Sequence, residues 1–181
     1  IMDGSAAPFL LLLRNAGITR QSAPRRAYRI KKPVSLSRDG KSIDAYPYEG
    51  FAVEYTITFP HRLIGTQRMN LDLSARTFAQ VARARTFGFL REVEYLHSKG
   101  LALGGNLDNA IVLDECSVLN QDGLRFDDEV VRQKILEFIG DMAMLERPLH
   151  GRFVVSYSGH ALNNDFLRTI TTSAETYLET V

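Results

Sequence analysis

The order of apolar patterns along the chain predicts an α+β fold, with a sheet packed against helices on one face. Runs of alternating β-branched and aromatic residues fill most of residues 28–73, which is typical of strands. A long helical pattern follows at 126–145, and then come a further strand pattern and a last helix. Because strands and helices follow one another in a mixed order, we assign the α+β class.

The composition is that of an ordinary soluble globular protein. The 181 residues are 45% hydrophobic and 24% charged, enough for one domain or for one domain with part of another. A net charge of +1 demands no charged partner. The single cysteine, Cys116, excludes an internal disulfide and suits a reducing compartment, so we expect a cytoplasmic protein.

An apolar run lies near the start of the chain. Residues 9–13 are too few to span a bilayer, and no basic residues precede them as in a signal peptide. We therefore predict a buried helix over residues 7–16, ended by Gly17. Because the chain starts at Ile1, we expect it to be a fragment of a longer protein.

A basic segment follows this helix. Residues 14–41 contain nine Lys or Arg against one acid, Asp39. A linker leading into a strand with a solvated face explains this charge best. Contact with a membrane surface stays open as an alternative. Nucleic acid is not an expected partner, because no recognisable nucleic-acid motif and no aromatic residues at stacking spacing accompany the charge.

Local signals place the first half of the elements. Asp39-Gly40 between two strand patterns indicates a hairpin. Ser74 is the predicted N-cap of a helix that reaches about Arg83. The predicted strands are residues 28–36, 42–45, 51–59 and 67–73.

The second half alternates between helices and strands. Gly100 ends a predicted helix at 91–99, and acids at 127–129 favour the start of the long helix. The remaining predicted elements are a buried strand at 110–113, the long helix to about residue 145, a strand at 150–157 and a helix from 161 onward.

Three polar residues of the long helix are spaced four apart. Gln133, Glu137 and Asp141 therefore lie on one face of that helix. Two carboxylates one turn apart can bind a metal ion or orient a base, and a solvated helical face is the alternative that the residues alone favour.

Two further residues are candidates for catalysis. His160 follows a glycine where a strand gives way to a helix, and histidine is the side chain that most often serves as a general acid or base. Thr86 stands after a predicted helix and beside aromatic residues, where its hydroxyl can donate to a developing oxyanion. The favoured alternative for Thr86 is a structural one, in which this segment ends the helix and the aromatic residues fill the adjacent space.

Six segments together resemble one known family. They are IMDGSAAPF, RARTFGF, GLALGGNLDNAIV, LNQDGLRFDDEVVR, KILEFIGD and SGHALNN, in the order and spacing of that family. The chain resembles the UDP-3-O-acyl-N-acetylglucosamine deacetylases of lipid A biosynthesis in Gram-negative bacteria. These are zinc amidases with two similar α+β domains and an active site between them.

The resemblance implies a domain organisation. Residues 1–22 would be the last helix of the first domain and a linker, and residues 23–181 would form the second domain. That domain would be a two-layer sandwich with an inserted β-α-β segment at about 88–115. The first domain would supply one zinc-binding histidine and the general base, so the isolated chain should be inactive.

The resemblance also implies individual roles. Thr86 would stabilise the oxyanion, and Phe87 would line the sugar site. Lys134 would meet the charged nucleotide part of the substrate. Asp141 would orient His160, which would protonate the leaving amine. The acyl chain would lie in an apolar tunnel lined by Leu90, Val93, Ala102, Ala110 and Val112.

The metal ligands depart from the family pattern. The family has a zinc-binding histidine and a zinc-binding aspartate at two positions that are Gln133 and Glu137 here. Glutamate can ligate Zn²⁺ through oxygen, whereas glutamine is a poor ligand. Two functions therefore remain open: zinc-dependent deacetylation, or binding of the nucleotide–acyl lipid without hydrolysis.

Overall fold

The computed structural model describes residues 2–181. Over this range the chain has five α-helices, one 3₁₀ turn and nine strands. The helices are α1 Ala7–Ala16, α2 Leu90–Ser98, α3 Glu129–Met142, α4 His160–Thr172 and α5 Ala174–Tyr177, with the 3₁₀ turn at Thr77–Gln80. The strands are β1 Tyr28–Ile30, β2 Val34–Arg38, β3 Lys41–Tyr46, β4 Phe51–Phe59, β5 Gly65–Asp72, β6 Thr86–Phe89, β7 Ala110–Leu113, β8 Leu149–Ser156 and β9 Leu178–Thr180. Among these helices, none has the length and apolarity to cross a bilayer.

Strand β8 is the centre of the main sheet. It pairs antiparallel with β3 and parallel with β4, so that Phe153 lies opposite Ala45 on one side and Val53 on the other. Strand β2 completes a hairpin with β3, and β5 completes a hairpin with β4. The short strand β1 pairs with the first residues of β8 and with β9. The sheet therefore contains both parallel and antiparallel pairs.

Both long helices pack on the same face of this sheet. The buried residues of β8 alternate along the strand, and Phe153 is fully buried. Its ring lies 5.4 Å from that of Phe138 on α3 and 6.2 Å from that of Phe166 on α4, centroid to centroid. Because one side chain contacts both helices, the helices share a layer, and the predicted α+β sandwich is confirmed.

A β-α-β unit stands beside the main sheet. Strands β6 and β7 pair parallel, with Thr86 opposite Ala110 and Phe89 opposite Leu113. Helix α2 connects them and buries no residue completely. This unit begins two residues before the position that the resemblance gave for the insertion.

Most predicted elements are confirmed within a few residues. The helix predicted from residue 161 onward ends at Thr172, so that α5 and β9 follow it, and two other predictions are wrong. The single strand predicted at 28–36 is divided into β1 and β2, since Pro33 lacks the N–H that a continuous ladder needs. The helix predicted from Ser74 is only the short 3₁₀ turn. The Thr77 hydroxyl donates to the carbonyl of Asp72 at 2.6 Å, and such bonds compete with a helical backbone.

The burial predicted for the first helix is also wrong. Helix α1 has the predicted bounds, but none of its residues is buried. Leu13, for example, is 64% exposed. The apolar face of α1 is therefore left uncovered by the residues that the structure describes.

Candidate active site

The site begins where β8 ends. Tyr157 has a φ of 53°, an uncommon value for a residue with a side chain, and it turns the chain out of the strand. Ser158 is buried, and His160 then opens helix α4 with its side chain 69% exposed. Asp141, near the end of α3, holds this histidine: its two carboxylate oxygens lie 2.9 and 3.0 Å from His160 Nδ1.

A second carboxylate meets the other side of the same imidazole. Glu137 Oε1 lies 3.1 Å from His160 Nε2. Because Glu137 and Asp141 are one helical turn apart, they bracket the ring from adjacent positions on α3. The other oxygen of Glu137 accepts a hydrogen bond of 2.6 Å from Lys134 Nζ. We call Lys134, Glu137 and Asp141 of α3, together with His160, the ion-pair row. Within it, Glu137 contacts both the lysine and the histidine.

A chain of buried hydrogen bonds supports Asp141. Asn163 Nδ2 donates to Asp141 Oδ2 at 2.6 Å, and Asn163 Oδ1 accepts from the Ser158 hydroxyl at 2.6 Å. The Ser158 carbonyl in turn accepts from the Tyr55 hydroxyl at 2.7 Å. Sequence reasoning missed these three residues. The available signal was the position of Asn163, three residues after His160 on the same helix.

Tyr55 remains a hydrogen-bond donor throughout the physiological range. Burial raises the pKa of Tyr55 well above its ordinary value, and the negative charges of Glu137 and Asp141 raise the pKa further. A protonated Tyr55 fixes the Ser158 carbonyl, so strand β4 is tied to the turn that carries His160.

Thr86 and Phe87 reach the site on the first two residues of β6. The Phe87 ring centroid lies 5.8 Å from Lys134 Nζ, within the range of a cation–π contact. Thr86 is exposed. The prediction that Thr86 follows a helix is wrong, since a loop after the 3₁₀ turn leads directly into β6. The structure thus brings Phe87 to the face of α3 that carries Lys134, and Thr86 precedes it at the start of the same strand.

A buried ion pair fastens β6 to the start of α3. Arg85 and Glu129 have side chains that are 1% and 0% exposed, and Arg85 Nε lies 3.0 Å from Glu129 Oε1. Burial by itself lowers the pKa of Arg85, but the hydrogen bonds and charges of Glu129 and Asp122 outweigh it and raise that pKa above the ordinary value. Sequence reasoning gave Arg85 no role, although it directly precedes Thr86.

Gln133 lies one turn before Glu137. Its side chain is buried, and its carbonyl oxygen has no hydrogen-bond partner among residues 2–181. A buried carbonyl without a donor costs free energy, so this oxygen is an open acceptor at the edge of the row.

Comparison with known proteins decides the family. The sequence model of one protein family, the UDP-3-O-acyl N-acetylglycosamine deacetylases, matches residues 1–172. The chain belongs to this deacetylase family. It is 65% identical over 181 residues to the UDP-3-O-acyl-N-acetylglucosamine deacetylase of Nitratidesulfovibrio vulgaris, covering 100% of this chain and 59% of that protein. The corresponding protein of Oleidesulfovibrio alaskensis is 65% identical over 182 residues, and that of Photobacterium profundum is 49% identical over 180 residues. These alignments cover 100% and 98% of this chain, and 60% and 59% of the relatives.

For a member of this family, the donor set on α3 does not fit a zinc ion. Within residues 2–181, no group of three or more His, Cys, Asp or Glu is placed to hold a metal ion. Gln133 offers an amide oxygen, which is a poor zinc ligand. Both oxygens of Glu137 are already engaged by Lys134 and His160.

A cleft of about 650 Å³ lies between the main sheet and the β-α-β unit. Aromatic rings of Phe59, Phe89 and Tyr157 line it, together with Leu90. The other residues predicted for an acyl tunnel lie outside this lining, at Val93 on α2, Ala102 in the following loop, and Ala110 and Val112 on β7. Val93 packs over the backbone of β6, since a Cβ placed on Gly88 would stand 3.2 Å from Val93 Cγ2.

Proposed function

We propose that the protein to which this chain belongs removes the N-acetyl group from a UDP-linked, 3-O-acylated N-acetylglucosamine and releases acetate, an early committed step of lipid A synthesis. The observation that carries the proposal is the contact between Asp141 and the exposed His160 at the start of α4. Family membership supports the substrate class. The chain spans about three fifths of the length of the relatives, so the proposal concerns a longer protein.

His160 acts as the general acid in this proposal. Because Asp141 accepts the Nδ1 hydrogen, a protonated imidazole carries its transferable proton at Nε2. Glu137 contacts Nε2 in this structure, so the leaving amine replaces Glu137 at that nitrogen when the proton is delivered. Proton delivery to the leaving amine from a positioned histidine accelerates a reaction by roughly 10²–10⁴-fold. The network through Asn163 and Ser158 holds Asp141 in place for that step.

The other polar residues bind the substrate or its developing charge. The exposed hydroxyl of Thr86 donates to the oxyanion, and Phe87 packs against the sugar. Lys134 binds the charged nucleotide part of the substrate after it releases Glu137. Leu90, Val93, Ala102, Ala110 and Val112 contact the acyl chain.

The proposed organisation assigns residues 1–22 to the end of a first domain and residues 23–181 to a second, with the insertion at about 88–115. A first domain would then cover the exposed face of α1 and complete the catalytic groups. We place the reaction in the cytoplasm, with the basic segment 14–41 suited to peripheral contact with an anionic membrane.

The test uses the closely similar Nitratidesulfovibrio vulgaris deacetylase as a carrier. The 181 residues of this chain replace the matching segment of that protein, and acetate release is measured with the UDP-linked substrate. His160→Ala is expected to lower turnover by about 10²–10⁴-fold while substrate affinity changes little. His97→Ala, which alters an exposed histidine of α2, is the matched control. An active chimera whose turnover survives His160→Ala refutes the assignment.

A second candidate function is binding of the same substrate without hydrolysis. Gln133 and the engaged Glu137 favour it, because neither is a free ligand of the kind that zinc prefers. The same chimera separates the two functions. Tight substrate binding without acetate release indicates a binding protein, and acetate release at a rate that responds to His160→Ala indicates an enzyme.

A further inference from the structure

Both carboxylate oxygens of Glu137 have partners within the chain. Glu137 is only 19% exposed, and a lysine ammonium and an imidazole occupy its two oxygens at 2.6 and 3.1 Å. A largely buried carboxylate needs a positive partner, because desolvation of an isolated anion is costly. Lys134, on the same helix, provides that partner from within the chain.

The length of Glu137 is what permits both contacts. Glutamate is longer than aspartate by one methylene, about 1.5 Å of reach. With that reach, a single carboxylate spans from Lys134, one turn earlier, to His160 on the neighbouring helix. A cation bound by the same carboxylate would have to displace Lys134 or His160 from Glu137.

We propose that in this chain Lys134 supplies the positive charge at Glu137 that a zinc ion would otherwise supply, and that Gln133 and Glu137 bind no zinc. This proposal rests on the proposed function, which makes 133 and 137 the metal-ligand positions. It concerns the binding of zinc at these positions and not the rate of deacetylation.

The test measures Zn²⁺ affinity of the 181-residue chain by calorimetric titration, with Co²⁺ absorption spectra to report the ligand type. Glu137→Gln is expected to leave the zinc affinity of the chain unchanged, because the row contributes nothing to it. Gln133→His combined with Glu137→Asp is expected to raise the affinity by at least the roughly 10–100-fold that supporting residues of metal sites contribute. Lys134→Met frees Glu137 and is expected to raise the affinity by a smaller factor.

Two results would overturn the proposal: zinc binding by the unaltered chain that Glu137→Gln abolishes, or a Lys134→Met chain that binds zinc no more tightly than the unaltered chain. Circular dichroism of each variant confirms that the helices are retained, and His61→Asn serves as the control histidine outside the row. The zinc titrations contain no substrate, so their result does not depend on whether the protein deacetylates the UDP-linked substrate. Conversely, zinc binding at the row overturns this proposal and leaves the deacetylase assignment standing.

Discussion

Replacement of Glu129 by glutamine tests how strongly the buried ion pair holds β6 to α3. The carboxylate accepts four hydrogen bonds. Oε1 accepts from the backbone N–H and the Nε of Arg85, both at 3.0 Å. Oε2 accepts from Arg85 Nη2 at 3.2 Å and from the backbone N–H of Arg125 at 2.6 Å. A glutamine has one oxygen and one NH₂ group, so in either orientation two donors face another donor.

The expected cost is large because the arginine stays buried when its partner charge is lost. Arg85 is 1% exposed, so water does not replace the missing carboxylate. Asp122 remains 3.2 Å from Arg85 Nη1, but its own side chain is 63% exposed and its charge is well screened. Removal of one partner of a buried pair costs about 3–5 kcal/mol, which corresponds to a fall in Tm of roughly 6–20 °C for a chain of this size.

The assay is thermal and urea-induced unfolding of the 181-residue chain, followed by circular dichroism. Glu115→Gln, which alters an exposed carboxylate, is the control and is expected to shift Tm by less than about 2 °C. Nuclear magnetic resonance should show the largest chemical-shift changes at Thr86 and Phe87 if the pair positions β6. A Glu129→Gln chain that melts with the unaltered chain refutes the reasoning from buried charge.

Two further predictions concern side-chain hydrogen bonds. Asn163→Ala leaves the buried Ser158 hydroxyl without its acceptor and is expected to lower the free energy of unfolding in urea by about 1–3 kcal/mol. Asn164→Ala, which alters an exposed residue, is the control and should lower it by less than about 0.5 kcal/mol. Equal effects of the two changes would show that the network is not stabilising. The backbone N–H of Cys116, followed by the hydroxyl and N–H of Ser117, lowers the pKa of Asp114 below its ordinary value of 3.8. The stability that Asp114 contributes is therefore complete above pH 3.8 and is lost as the pH falls through the lower folded value. Carboxyl carbon titration by magnetic resonance should place its midpoint below 3.8, and Ser117→Ala should raise that midpoint; an unchanged midpoint would contradict the assignment of cause.

Elements with local signals were predictable from sequence. The Asp39-Gly40 turn has φ values of 53° and 74°, the left-handed pair that a two-residue hairpin requires. Strands β4 and β7 have the predicted bounds because uniform apolar or alternating runs define them. The resemblance led to the expectation that Asp141 contacts His160, and the two side chains are in contact.

Contacts between distant segments were not predictable in the same way. Arg85 and Glu129 are 44 residues apart, and Asn163 and Asp141 are 22 apart, so no local pattern relates them. The substitution at Glu137 was visible in the sequence, but its pairing with Lys134 and His160 depends on how α4 is placed against α3. Likewise, the apolar pattern of α1 predicted a helix correctly but did not reveal which surface, if any, would cover it.

The position of β8 late in the chain has a consequence for synthesis on the ribosome. Two hairpins, β2–β3 and β4–β5, are made early, but each exposes an unpaired edge until β8 is inserted between them. The bond from Tyr55 to Ser158 spans 103 residues, a delay of roughly 5–20 s at ordinary rates of translation. Nascent chains should therefore be most open to aggregation and chaperone capture in that interval. The same strand leads directly into His160, so insertion of β8 between the two hairpins also brings His160 to the candidate active site.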